Sequence, residues 1–455
     1  MTAAAVIMCA VFAACSSSSG GSDAGLGATT TARKAAGTCT GKTLQSTEVG
    51  VTPTTITVTV MADIGSPLAP GLFQDSIDGV KAWAAYVNAN GGLGCRQIAV
   101  DVVDSKLSAD EAKNGLVATC GKSLILVGTS SLFLNDMRPA EGCKDKAGVA
   151  TGIPDVAAVQ TEPAEQCSKV AFAIIQQGSS CPYSGSGVRD FKESTGEVAW
   201  FKKNVTSDLH GVFVVAADLP SAISASTPAF AGIEQNGVKR DSEFGMSGLA
   251  TQSQYAPIAQ AIKDAKSTWV INGLDLAGIV KMRKEAVAQG VSTVKVWACL
   301  LSCYAPRFIT QGGSAVEGQY AWLQFLPFEA KGNNDMLDTF LQYDKNPDAF
   351  GVQAFSAGLL LQQIVEGIVT RDGPNAITRS AILAGLRTVH DFDAGGMLPK
   401  TDVAGRTTSP CIVIVQVQHG AWTQVDPSKK GAFDCTEPGA LTSLSLDPIK
   451  AYKPG

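Results

Sequence analysis

The chain has 455 residues, 45% hydrophobic and 17% charged, which is too apolar and too weakly charged for a disordered protein. Its 36 Lys and Arg against 41 Asp and Glu give a net charge of −5, without the basic surplus of a nucleic-acid binder. The length suits two large domains or about three smaller ones. The three histidines, His210, His390 and His419, lack a second metal-type ligand at metal-site spacing, which argues against a histidine zinc site.

The first element is an apolar run over residues 3–14, too short to span a bilayer but matching the apolar region of a secretory signal. It ends at Phe12-Ala13-Ala14-Cys15, and a Ser/Gly tether follows. Small residues before a cysteine resemble the lipobox of bacterial lipoproteins. The resemblance implies residues 1–15 as signal, Cys15 as the lipidated residue, and residues 16–50 as flexible linker. Anchoring on the outer face of the cytoplasmic membrane follows from it. No Lys or Arg precedes Arg33, which departs from the basic start of such signals.

Of twelve cysteines, Cys9 and Cys15 fall in the signal and ten remain, a number suited to disulfides in an exported protein. Local pairs are Cys411–Cys435, Cys299–Cys303, Cys143–Cys167 and Cys95–Cys120, leaving Cys39 and Cys181. The sequence alone does not fix this connectivity.

Order begins at the β-branched run 54–60. A helix follows with Phe73, Ile77, Val80, Ala84 and Val87 on one face, ending at the glycines of residues 90–94. Residues 98–103 predict a second strand, Ser108 and Glu111 a capping box, and residues 124–127 a third strand. Further strands are expected near 148–151, 170–175, 211–217, 268–272 and 294–298. Helices are expected near 189–203, 221–236, 254–265, 275–289, 334–344, 351–370 and 375–387. Residues 412–425 read as a β-hairpin around His419-Gly420. Strands separated by helical patterns imply βαβ units, hence an α/β chain with two doubly wound parallel-sheet lobes.

The stretch from Ile64 to Leu68, the helix after it, and Val87-Asn88-Ala89-Asn90-Gly91-Gly92-Leu93-Gly94 resemble the opening of type I periplasmic binding proteins, in particular the branched-chain amino acid-binding branch. Asp104 after the second strand, Val127-Gly128-Thr129-Ser130-Ser131, the stretch 265–290, the stretch 351–364 and the terminal hairpin continue the resemblance over roughly residues 51–430. It implies an extracytoplasmic lipoprotein, acting as a monomer, whose lobes close on a small solute and dock on an ABC permease. It also implies three crossovers, near 176–187, 300–312 and 390–405. Lobe 1 is then 51–178 with 305–395, and lobe 2 is 179–304 with 396–455. No cofactor or metal is expected.

Ligands of open α/β sheets bind at strand carboxyl ends. The resemblance therefore implies ligand contacts at Ser66, Phe73, Thr129, Ser130 and Ser131. It adds Gly152, Ile153 and Asp155 after a fourth strand, and Leu274, Asp275, Leu300 and Tyr304 in the second lobe. The serines also have a plainer role as helix caps, and Phe73, Trp322 and Phe325 as core aromatics. The glutamate that the family often offers to a ligand ammonium is absent, which leaves Asp155 and Asp275 as the carboxylates placed to pair with one. The expected solute has a polar head held by the first lobe and an apolar body against the second, such as an amino acid or amide.

Gly41-Lys42-Thr43 lacks the strand and glycine of a phosphate-binding loop, since Ala36 stands five positions before Gly41. The loop 178–187 reads as a hinge-side loop. There is no G-x-S-x-G elbow and no H-E-x-x-H helix, so an exported hydrolase is the weakest alternative. A sensor of the same fold, signalling to a membrane partner, is the closer one.

Overall fold

The computed structural model describes residues 41–176, 178–182, 187–437 and 439–453. The signal run, Cys9, Cys15, Cys39, most of the proposed linker and part of the loop 178–187 lie outside the described residues.

The first sheet is wholly parallel, in the order β2-β1-β3-β4-β5. Its strands are β1 (Thr55–Ala62), β2 (Gln97–Asp104), β3 (Ile125–Ser130), β4 (Asp155–Val159) and β5 (Ala171–Ala173). Strands β3, β4 and β5 are buried along their whole length, as a sheet covered on both faces requires. The second sheet has the order β13-β12-β11-β10-β9-β7-β8. It contains β7 (His210–Ala216), β8 (Lys239–Met246), β9 (Trp269–Gly273), β10 (Val296–Cys299) and β11 (Gln319–Leu323) in parallel, with the antiparallel hairpin β12 (Val413–Gln418) and β13 (Ala421–Asp426) at one edge. A two-stranded ribbon pairs β6 (Arg189–Ser194) with β14 (Leu441–Leu446).

Helices α1 (Gln74–Ala89) and α2 (Ala109–Cys120) serve the first lobe. Helices α3 (Gly196–Asn204), α4 (Pro220–Gln235), α5 (Ala256–Ala265), α6 (Leu276–Ala288) and α7 (Pro306–Gly312) serve the second. The chain then returns to the first lobe with α8 (Asp335–Tyr343), α9 (Ala349–Asp372) and α10 (Arg379–Leu386). Helix α9 is long and apolar enough to cross a membrane, but 78% of its apolar window is buried inside the protein. It packs on α1 through glycines. A methyl group added at Gly79 would stand 2.1 Å from the Gly351 carbonyl oxygen, so backbone meets backbone there.

Four expectations need correction. Residues 148–151 form no strand: Gly152 takes φ +85°, and β4 starts only at Asp155, beyond that turn. Residues 189–194 are β6, not the start of a helix, because β14 pairs with them in antiparallel register. Strand β11 bonds to β10 and β12, so residues 305–323 belong with the second sheet and the second crossover lies after Leu323, not at 300–312. Residues 45–50 are tied to the first lobe rather than free as linker. The Gln45 N–H donates to Asn375 Oδ1 at 3.0 Å, the Thr47 hydroxyl to the Ile377 carbonyl at 2.6 Å, and Glu48 is buried.

Two of the four cysteine pairs hold, Cys299–Cys303 and Cys411–Cys435. Cys143 pairs with Cys120 rather than Cys167, and Cys167 pairs with Cys181. Cys95 is disulfide-bonded too, but not to Cys120, since Cys120 is taken. The reason is topological: the Cys120 end of α2 lies beside the loop before β4, which sequence separation does not reveal.

Candidate functional site

The carboxyl ends of the two sheets face each other across a cavity of about 300 Å³. The loop after β1 contributes Leu68, Ala69, Leu72 and Phe73; the ends of β3 and β4 contribute Leu132, Val159 and Thr161. From the other lobe come Leu219 after β7, Leu274 and Asp275 after β9, and Leu300 and Leu301 after β10. Helix α4 turns Ala222, Ala225, Ser226 and Ala229 to the same space. Their spacing of three and four puts them on one helix face, and their small size leaves room. Phe350 and Gln353 of α9 close the first-lobe side, with Phe350 edge-on to Phe73 at 4.9 Å. The crossovers supply Gln176, Gln324 and Thr408 at the hinge end.

Of the residues expected at the site, Phe73, Leu274, Asp275 and Leu300 line this cavity. Ser66 does not; its hydroxyl accepts from the Leu68 N–H at 3.3 Å. Nor do Thr129, Ser130 and Ser131, which are fully buried. The Thr129 hydroxyl donates to Asp155 Oδ1 at 2.7 Å, and Ser130 shares a 2.8 Å hydrogen bond with Ser76. The Leu132 N–H after β3 is already used. Asp63 accepts from the N–H of Leu132, the N–H of Leu107 and the hydroxyl of Ser105, each at 2.7 Å. Burial raises the Asp63 carboxyl above its ordinary range and these three bonds oppose it.

Gly152, Ile153 and Asp155 sit at the amino end of β4, not its carboxyl end, and are absent from the wall. Burial pushes Asp155 up to about 7, against the Thr129 bond. Tyr304 is a core residue. Its hydroxyl donates to Glu329 at 2.8 Å and accepts from the Phe328 N–H at 2.6 Å, and its ring packs against Trp422. Asp275 reaches the wall while capping α6, accepting from the Gly278 N–H at 2.9 Å; burial raises its carboxyl. Trp322 lines the cavity, whereas Phe325 is core.

Glu193 and Ser194, at the end of β6, are wall residues from a segment expected to be helical. Burial pushes Glu193 up to about 8. The alternation Arg189 in, Asp190 out, Phe191 in, Lys192 out is the strand pattern that marks this segment. The alanine spacing 222, 225, 229 was likewise readable as a deliberately small helix face.

The comparisons agree with this architecture. No curated protein matches the chain. A leucine-binding protein from Thermotoga maritima is 16% identical with TM-score 0.61, over 82% of this chain and 97% of that one. A branched-chain amino acid transporter substrate-binding protein from Streptococcus pneumoniae, solved with isoleucine, is 17% identical with TM-score 0.60, over 82% and 100%. A fatty acid ABC transporter substrate-binding protein from Thermomonospora curvata is 16% identical with TM-score 0.63, over 89% and 96%. At such identities the likeness is one of fold. A family model described as periplasmic binding protein matches residues 55–421, most of the chain, and with two lobes facing each other over a cavity the chain belongs to the periplasmic binding protein family, whose members bind solutes outside the cytoplasm.

Proposed function

We propose that this protein is the solute-receiving lipoprotein of an ABC importer, closing its lobes on a small, largely apolar solute and presenting the closed form to a permease. The observation that carries this is the inter-lobe cavity, whose wall comes from the carboxyl ends of both sheets and is mainly aliphatic and aromatic. An apolar wall suits the body of a leucine, an isoleucine or a short fatty acid alike. It offers an amino acid's carboxylate little, because its wall has no lysine or arginine and Asp63 holds the Leu132 N–H after β3. A thermal-shift screen of small solutes tests the reading, since a ligand that binds only the folded state raises its apparent stability. No shift with any apolar-bodied solute counts against it.

Lipid attachment at Cys15 rests on Phe12-Ala13-Ala14-Cys15 and the Ser/Gly tether. Cys15→Ala should release the protein from membranes, since stable anchoring needs more than one acyl chain. Membrane retention by that variant would remove the anchor from the proposal.

A further inference from the structure

The cavity wall carries two carboxylic acids, Glu193 and Asp275, and neither a lysine nor an arginine. Asp275 is committed as a helix cap. Among the described residues the Glu193 carboxyl makes no hydrogen bond and no ion pair. It stands at the hinge end, where a methyl group at Gly178 would be 3.3 Å from its Oε1.

Two amides share that end, each with one of its two N–H donors spent on backbone. Gln176 Nε2 donates to the Ala173 carbonyl at 2.7 Å, and Gln324 Nε2 to the Ser409 carbonyl at 3.0 Å. Their Oε1 atoms remain as acceptors. The Thr408 hydroxyl reaches the Gln176 carbonyl at 3.5 Å, which holds the first and third crossovers together there. A carboxylate or phosphate head placed here would lose its water beside an acid, with no cation to compensate. An ammonium brings no acceptor and three donors, which the Glu193 carboxylate and the two amide oxygens are placed to accept.

We propose that the cavity selects a solute with a protonated amine head on an apolar body, with Glu193 as its counter-ion and Gln176 and Gln324 as further acceptors. The inference rests on the cavity being the solute site. Glu197 on α3 is the titratable neighbour, its own carboxyl raised by burial and by the charge of Glu193. Lys192 beside it is exposed, the opposing residue on β14 is Thr442, and Glu234 on the packed α4 is paired with Arg240. Burial holds Glu193 up to about 8, so near pH 7 it carries a proton that an entering ammonium expels.

Calorimetry on the full chain with hexylamine, hexanoate and hexanol, one alkyl chain with three heads, tests this. Hexylamine should bind roughly tenfold or more tightly than either of the others, as expected for a charge-assisted contact. Glu193→Gln should reduce it to the hexanol level. In buffers of different ionisation enthalpy the wild type should release a proton on amine binding near pH 7, and Glu193→Gln should not. Preference for hexanoate or hexanol, or amine affinity unmoved in a Glu193→Gln protein that melts like wild type, overturns the inference and leaves the solute site standing. Should Glu193→Gln not fold, Gln324→Leu should weaken hexylamine while sparing hexanol, and equal effects on both overturn it. Binding by none of the three removes the solute site and the inference with it.

Discussion

Arg307 joins the lobes: its Nη2 lies 2.6 Å from Asp75 Oδ2, with Arg307 on α7 of the second lobe and Asp75 at the start of α1 in the first. The same nitrogen is 3.1 Å from Asp348 Oδ2, and Asp348 caps α9 by accepting from the N–H groups of Phe350 and Gly351. Both aspartates are buried, and Arg307 alone is partly open to water. Arg307→Ala should therefore loosen the closed form. With the arginine side chain 40% exposed, the loss is discounted to about 1 kcal/mol, about fivefold in affinity. Stopped-flow release should show most of it as faster dissociation. Unchanged release would mean that the pair does not hold the lobes together.

Filling the cavity should abolish binding without unfolding the protein. Ala225 sits on the cavity face of α4, and Ala225→Phe places a ring in space that a solute would occupy. We expect at least about a tenfold loss of affinity, with folding cost limited to the roughly 1–3 kcal/mol typical of overpacking. Retained affinity would place the solute elsewhere.

Stability should fall as pH rises. Asp155 holds its proton to about 7 in the folded chain, and Glu193 and Glu197 to about 8, while unfolded carboxyls release theirs near pH 4. Over that window the folded state binds more protons, so the stability present below about pH 4 is progressively lost towards about pH 8. Melting temperatures measured from about pH 5 upward should decline, and Asp155→Asn should flatten the decline while leaving solute affinity unchanged. A rise in melting temperature over this range would contradict the argument.

Peptide mapping of the non-reduced protein should recover Cys120–Cys143, Cys167–Cys181, Cys299–Cys303 and Cys411–Cys435 as linked pairs. Replacing Cys411 and Cys435 together by serine should cost about 3 kcal/mol on the chain-entropy account of a loop of this separation. Free thiols at these positions would refute the pairing.

What the sequence determined by itself was the periodic part. Strands such as Thr55–Ala62 and helices such as Gln74–Ala89 follow from β-branched runs and from apolar spacing, which are local properties. Their alternation was enough for a two-lobed α/β chain, and helix capping by Ser108 was legible for the same reason. The tertiary structure decided everything that depends on a distant partner. Arg189–Ser194 becomes a strand because Leu441–Leu446, some 250 residues later, supplies its hydrogen bonds. Cys120 finds Cys143 because a helix end and a loop meet in space. The Leu132 N–H after β3 is not open to a ligand anion because Asp63, from another strand end, has already taken it. Polar groups at a site are spoken for by whichever partner the fold brings nearest, and that partner is not encoded in local spacing.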